Sequence, residues 1–431
     1  MADRGDATAH SARSLPEIRV PAAWTFAGLV AGLIIGPLAK GTILAGPLLA
    51  VAQPVGNLWL DALKMTILPL VAGLLFMGIV QTVATARAGP MARRTLRLFL
   101  LILAVSAATG VAATLLLLKL APVPASAAIA FSSGAVTAQE PAAIAGIGDF
   151  LNGLIPENIV AAASDGAMLP VVVFIALFAL ASTRLADGPR IQITRLFEAL
   201  TGAMLIIIGW VLAIAPFGVF ALAAGLSARS GAGAMGALAH YILVVSAVGL
   251  VILILAYVLG IASGRDGPGR FSRALVPAQA VAISTQSSLA SLPAMIASCR
   301  ILGLRDESGE FVLPLAVAVF RATSPAMNLA VVIYCAALLG IDVPLAALLA
   351  GAGVAVLLSL GTVSLPGTVS FIATIAPIAA TMGVPVEPLV ILVAVEMLPD
   401  VMRTLANVTM NVAVVAAVDR GNDAAAIPDQ K

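Results

Sequence analysis

Apolar runs about as long as a bilayer is thick dominate this chain. They sit near 24–43, 59–82, 97–118, 168–183, 200–225, 239–263, 311–340, 345–361 and 386–418. A helix needs about 20 residues to cross the hydrocarbon core. The runs do not alternate apolar with polar, as the strands of a membrane barrel would. Only 10% of the 431 residues are charged and 61% are hydrophobic, far from the balance of a soluble domain. The sequence therefore predicts an all-α polytopic membrane protein whose main partner is the lipid bilayer.

Several functions are excluded early. A net charge of +2 offers no footprint for nucleic acid. His10 and His240 are the two histidines, too few for a histidine metal cluster, so no metal and no cofactor are expected. Cys299 and Cys335 read as packing thiols. Residues 1–20 are polar and lack a signal-peptide core, which predicts a cytoplasmic N-terminal tail. Basic clusters at Arg87–Arg97, Arg184–Arg195 and Arg265–Arg273 alternate with connections poor in positive charge. The positive-inside rule then puts both termini in the cytoplasm and 121–165 outside. Lys64 and Asp61, at a membrane border, are expected to snorkel.

Two segments do not read as simple spans. Arg273 and Arg300 both count as cytoplasmic, yet the residues between them include "AISTQSSLASLPAMIA" (282–297). That length is too short for two spans, and one span would reverse the sidedness. A re-entrant hairpin over 274–300 satisfies both constraints, with its tip at Ser284–Ser288 and Pro293 beginning the return. "SLGTVSLPGTVSFIATIAP" (359–377) looks alike, and predicts a second hairpin over 345–382. Two such hairpins in corresponding halves suggest an inverted repeat with a binding site between the tips.

The stretch "VEMLPDVMRTLANVTMN" (395–411) carries the chemistry. At 100° per residue, Glu396, Asp400, Arg403, Thr404, Asn407 and Asn411 fall within an arc of about 100°. Buried charge is costly in a membrane unless paired. An ion pair joining helices is one reading of the stripe. A polar ligand site is the other, and the hydrogen-bonding capacity of Thr404 and Asn407 favours it. Arg403 offers a fork for a carboxylate. Asp400 can hold an ammonium, and hairpin-tip N–H groups can hold a second carboxylate. An acidic amino acid fits that set. A channel would want rings of like charge, and an enzyme would want a base beside Ser287 or Ser288. Neither pattern is visible, and no enzymatic activity is expected.

"DVMRTLANVTMN" (400–411) resembles the last-helix pattern D-x-x-R-T-x-x-N-V-T-x-D of the dicarboxylate/amino acid:cation symporters, the glutamate and aspartate transporter family. It matches every fixed position except the last. "TQSSLASLP" (285–293) and "GTVSLPGTV" (361–369) resemble that family's two hairpins. "KMTILPLVAGLLFMGIV" (64–80), "IPEN" (155–158) and "LAIAPFGVFAL" (212–222) resemble segments of earlier helices.

The resemblance implies eight transmembrane helices and two re-entrant hairpins, built as an inverted repeat in an elevator transporter. It implies a homotrimer in the cytoplasmic (inner) membrane. Residues 21–263 would form the first six helices, with helices 1, 2, 4 and 5 as scaffold and 3 and 6 joining the transport domain. Residues 264–419 would form the transport core, with helix 7 over 308–340 and helix 8 over 386–418; residues 420–431 would be a cytoplasmic tail. Carried over by position, Arg403 would bind the substrate side-chain carboxylate and Asp400 the amino group. Thr404, Asn407 and Ser324 would complete the pocket. Ser287, Ser288 and the backbone at Leu365, Pro366 and Gly367 would hold the main-chain carboxylate. Relatives that carry plain dicarboxylates tend to lack the acid at the position of Asp400.

The departures from the family pattern cluster on cation binding. Where relatives carry N-M-D-G-T in helix 7, this chain reads "FRATS" (320–324), so the acid becomes Ala322 and Arg321 appears beside it. The last-helix acid becomes Asn411, and third-helix polar positions read Phe99, Ile102 and Leu103. The remaining expected cation positions are Asn407, Asn411 and the second-hairpin backbone near Ser359, Leu360 and Thr362. Losing two carboxylates and gaining an arginine shifts local charge by about +3, and hard cations prefer anionic oxygen. Four outcomes are open: coupling to protons, coupling to one remaining sodium, Arg321 acting as a built-in surrogate cation, or Arg321 turned away to pair with Glu396.

Overall fold

A computed structural model describes residues 21–39, 42–43, 45–125, 154–230, 233–264, 267–361 and 367–426. Every regular element among them is a helix. In chain order these are α1 (Ala22–Ala39), α2 (Ala45–Ala86), α3 (Pro90–Leu120), α4 (Ile159–Ser164), α5 (Met168–Ser182), α6 (Asp187–Ala213), α7 (Ala215–Ser230) and α8 (Gly233–Ser263). Then come α9 (Pro268–Thr285), α10 (Leu292–Ile301), α11 (Asp306–Val319), α12 (Thr323–Leu339), α13 (Leu345–Gly361), α14 (Gly367–Thr381), α15 (Glu387–Val393) and α16 (Met397–Ala426). Among the described residues, six helical stretches are long and apolar enough to cross a membrane, and five shorter helices are also apolar.

The helices sort into two packed groups. The first joins α1, α2, α5, α6 and α7. Gly28, Gly32 and Gly36 line the face of α1 that meets α7. A Cβ at Gly32 would come within 2.6 Å of the Phe220 carbonyl oxygen, so only glycine allows this approach. Ser227 Oγ donates to Gly32 O at 2.9 Å across the contact. Close backbone approach through small residues holds helices together where lipid removes the usual hydrophobic drive. Trp59 of α2 stacks on Gly218 and donates its indole N–H to Val211 O at 2.9 Å.

The second group is built round α12, buried almost throughout and enclosed by α3, α8, α13, α14 and α16. Gly110 lets α3 touch the backbone of α12 at Ala326, and Phe99 stacks on Phe320 at 4.1 Å. The seam between the groups runs mainly where α2 and α5 meet α13 and α14. A gap there is lined by Leu60, Leu63, Lys64, Ile67, Ala376, Val386 and Leu389, nearly all hydrocarbon. Large apolar side chains stand outward on α1, α2, α6 and α8, among them Trp24, Leu58, Trp210 and Leu243. Such a surface suits a lipid environment rather than water.

α9 and α10 form a helical hairpin. Gln286, in the left-handed conformation at φ 51°, ends α9, and Pro293 sits in the first turn of α10. Arg270 Nη2 donates to Ile301 O at 3.1 Å, so the start of α9 and the end of α10 meet. The pair begins earlier than the expected 274. α13 and α14 pack against each other as a second pair. Residues 362–366 between them lie outside the described residues.

Two expected continuous helices are interrupted. The helix predicted over 308–340 breaks at Phe320–Ala322, between α11 and α12. The helix predicted over 386–418 breaks at Ala394–Glu396, and α16 continues to Ala426. Pro325 and Pro399 fall in the first turns of the resuming helices, where a missing N–H costs nothing.

Candidate functional site: a buried arginine shared by two carboxylates

Both breaks open onto one buried polar cluster. Arg403, one turn and a half into α16, is 7% exposed, and its three nitrogens meet three different partners. Nη2 donates to Glu396 Oε1 at 2.7 Å, and Nη1 donates to Asn328 Oδ1 at 2.9 Å. Nε lies 3.4 Å from Asp400 Oδ1. Glu396 lies in the turn before α16 rather than on that helix, and its second oxygen accepts from Tyr241 Oη at 2.8 Å. Asn328 Nδ2 donates to Thr374 Oγ1 of α14 at 2.9 Å. The arginine thereby ties α16 to α12 and, through Asn328, to the second helix pair.

The break at Phe320–Ala322 is stitched from two sides. Asn407 Oδ1 accepts from the Thr323 backbone N–H at 3.0 Å. Ser106 Oγ donates to the Ala322 carbonyl from α3. Freed backbone groups at membrane depth need partners of this kind. Arg321 is held in the break itself, half-buried, and Asp400 faces the charges of both Arg321 and Arg403. Glu396 is held by Arg403 and Tyr241, and the charge of Arg321 acts on Asp400.

The other sequence-predicted residues divide as follows. Thr404 and Ser324 are buried beside this cluster in sequence, on α16 and α12. Ser287 and Ser288 lie half-buried in the turn of the α9–α10 hairpin. Ser287 Oγ accepts from Ala290 N at 3.2 Å and its carbonyl accepts from Ser291 Oγ at 2.9 Å, so its hydrogen bonds are local. The hairpin packs on α16: Gln279 Nε2 donates to Thr409 Oγ1 at 3.0 Å, and Asn411 Nδ2 reaches Met295 Sδ at 3.9 Å.

Of the expected cation positions, Asn407 already spends its oxygen on Thr323. Asn411 Oδ1 is buried with no hydrogen-bond partner. Ser359 Oγ donates to Ala355 O in its own helix at 2.7 Å, and Leu360 is buried beside it. Thr362, Leu365 and Pro366 lie outside the described residues, and Gly367 begins α14. Among the described residues, no group of three or more His, Cys, Asp or Glu side chains is placed to hold a metal.

Sequence reasoning missed Tyr241, Asn328 and Thr374. Each is a polar side chain in a mainly apolar helix, and such a residue inside a membrane helix is itself the signal.

Fold and site together define a multi-pass helical membrane protein with a charged cluster buried within one helix group. The chain belongs to the Sodium:dicarboxylate symporter family, whose model matches residues 22–421. It is 26% identical over 398 residues to the proton/sodium-glutamate symport protein of Geobacillus stearothermophilus, covering 91% of this chain and 92% of the relative. It is 28% identical to the proton/glutamate-aspartate symporter of Escherichia coli, covering 85% and 84%. It is 27% identical to C4-dicarboxylate transport protein 1 of Pseudomonas paraeruginosa, covering 63% and 61%.

Proposed function

We propose that this protein is a secondary transporter that carries aspartate or glutamate by cation symport, with Arg403 and Asp400 as the substrate-defining pair. The observation that carries the reading is a buried guanidinium with an acid beside it and amide groups around it. Arg403 is the natural partner of the substrate side-chain carboxylate, and Asp400 of its ammonium. Thr404, Asn407 and Ser324 line the remaining space, while Ser287, Ser288 and the segment 365–367 receive the main-chain carboxylate. The names of the relatives, glutamate symporters and dicarboxylate carriers, support the same substrate class.

The two helix pairs act as re-entrant hairpins within an eight-span, inverted-repeat fold. The group around α12 is the moving unit, and the group of α1, α2, α5, α6 and α7 is the scaffold. The seam between them, lined almost wholly by hydrocarbon from Leu60, Leu63, Ile67, Ala376, Val386 and Leu389, supports sliding. Both termini face the cytoplasm, the protein resides in the inner membrane, and it assembles as a trimer; native mass spectrometry giving only monomer or dimer would remove the trimer. Arg321 supplies a fixed positive charge where relatives bind cations, so affinity depends weakly on sodium.

Ligand binding to the purified protein tests the substrate. Arg403→Ala should abolish binding of aspartate and glutamate while changing a neutral amino acid far less. If succinate or malate binds the wild type tighter than either amino acid, the role given to Asp400 is wrong.

A further inference from the structure

Glu396 and Asp400 hold different nitrogens of Arg403: Nη2 meets Glu396 Oε1 at 2.7 Å, while Nε lies 3.4 Å from Asp400 Oδ1. A bidentate carboxylate ligand needs two guanidinium nitrogens on one edge. An incoming acidic side chain therefore competes with Glu396. We propose that Glu396 is the proton-carrying group of this transporter: it yields Arg403 to the substrate carboxylate and takes up one proton from solution as it does so. This inference rests on the acidic-substrate reading above.

Charge balance leads to the same place. Counted with ordinary charges, Arg321 and Arg403 offset Glu396 and Asp400, and the cluster's formal charge is zero. An acidic amino acid brings a net charge of −1 into it, and one added proton restores neutrality. Uncompensated charge in a membrane interior costs several kcal/mol. Positions 322 and 411, where the family pattern that this chain resembles has acids, carry Ala322 and Asn411 and offer no carboxylate to a cation.

The proton goes to Glu396 and not to Asp400 because of what each carboxylate keeps. The titratable and charged groups that act on Glu396 are Tyr241 on α8 and Asp400 and Arg403 on α16; Tyr334 and Cys335 on α12 lie behind Tyr241, and Arg321 in the break acts on Asp400. Once Arg403 turns to the substrate, Asp400 still faces Arg321 and the substrate ammonium. Glu396 keeps the neutral hydroxyl of Tyr241, which donates to Oε2. Tyr241 is itself steadied edge-on by Tyr334 at 5.4 Å, and Tyr334 donates to Ala237 O at 2.8 Å. Protonation at Oε1 turns the carboxylate into a neutral acid, and the Tyr241 bond to Oε2 persists.

The test measures protons and aspartate together, in weakly buffered, sodium-free solution with a pH indicator. The wild type should take up about one proton per aspartate bound, and its Kd should rise about tenfold per pH unit where free Glu396 is ionised. Glu396→Gln should still bind aspartate, with proton uptake near zero and a Kd flat with pH. Equal uptake by Glu396→Gln and wild type overturns the proposal, as does wild-type binding without proton uptake. If Glu396→Gln does not fold, Tyr241→Phe, which removes the donor to Glu396 Oε2, should shift the pH range over which the Kd changes; an unshifted range, or a flat wild-type profile, overturns the proposal. Failure of the wild type to bind aspartate, glutamate or succinate at all overturns the acidic-substrate reading, and this inference with it.

Discussion

Replacing Arg403 by methionine removes the guanidinium while keeping much of the side chain's bulk. Two acceptors lose a donor, Glu396 Oε1 at 2.7 Å and Asn328 Oδ1 at 2.9 Å, and Asp400 Oδ1 loses a positive charge 3.4 Å away. Both members of the Arg403–Glu396 pair are under a tenth exposed, so solvent screening gives little relief. Breaking a buried pair by deleting one partner typically costs about 3–5 kcal/mol, since a carboxylate is left uncompensated. Glu396→Gln alone keeps an acceptor for Arg403 and a partner for Tyr241, and should cost about 1.5–3 kcal/mol. The double variant removes the stranded charge, and its cost should fall short of the sum of the singles by about 2 kcal/mol. Unfolding titrations in mixed detergent micelles with rising SDS read all three. A cost below about 1 kcal/mol for Arg403→Met, or strict additivity in the double variant, would refute the claim that the guanidinium neutralises a buried acid.

Three further outcomes are expected. Arg321→Met should weaken aspartate binding in sodium-free buffer, and restoring acids with Ala322→Asp and Asn411→Asp beside it should make binding sodium-dependent; equilibrium binding with and without sodium decides. Gly32→Val drives a side chain into Phe220 O and Ala223 Cβ, at 2.6 and 2.8 Å from the new Cβ, and should cost about 1–3 kcal/mol or prevent folding, read as loss of monodisperse protein on size-exclusion chromatography. For the first hairpin, single cysteines at exposed Gly269 and Glu307 should both react from the cytoplasmic side with an impermeant thiol reagent; labelling from opposite sides would make the hairpin a span.

How much of this was legible in the sequence differs from element to element. The polar stripe from Asp400 to Asn411 was readable because helical spacing gathers it on one face. The α9–α10 helix pair, expected as a hairpin over 274–300, was readable because its serine-rich turn lies between two basic ends that count to the same side. The helix breaks at Phe320–Ala322 and Ala394–Glu396 were not, since neither carries glycine or proline within it. Their trace is displaced into the following turns, at Pro325 and Pro399. The break also moved Glu396 off the helix on which spacing had set it, while keeping it beside Arg403. Asn328, Thr374 and Tyr241 escaped notice because single polar residues create no periodicity. Their importance lies in which helix they face, and that depends on α8, α12 and α14 meeting α16, a tertiary fact.

Uptake of aspartate into proteoliposomes, with proton and sodium gradients imposed separately, tests the central claim most directly. An inward proton gradient in sodium-free medium should drive accumulation, and a sodium gradient at equal pH should add little. Accumulation that requires sodium, with affinity rising by orders of magnitude as sodium is added, would contradict the account and leave Arg321 and Glu396 without the roles given to them here.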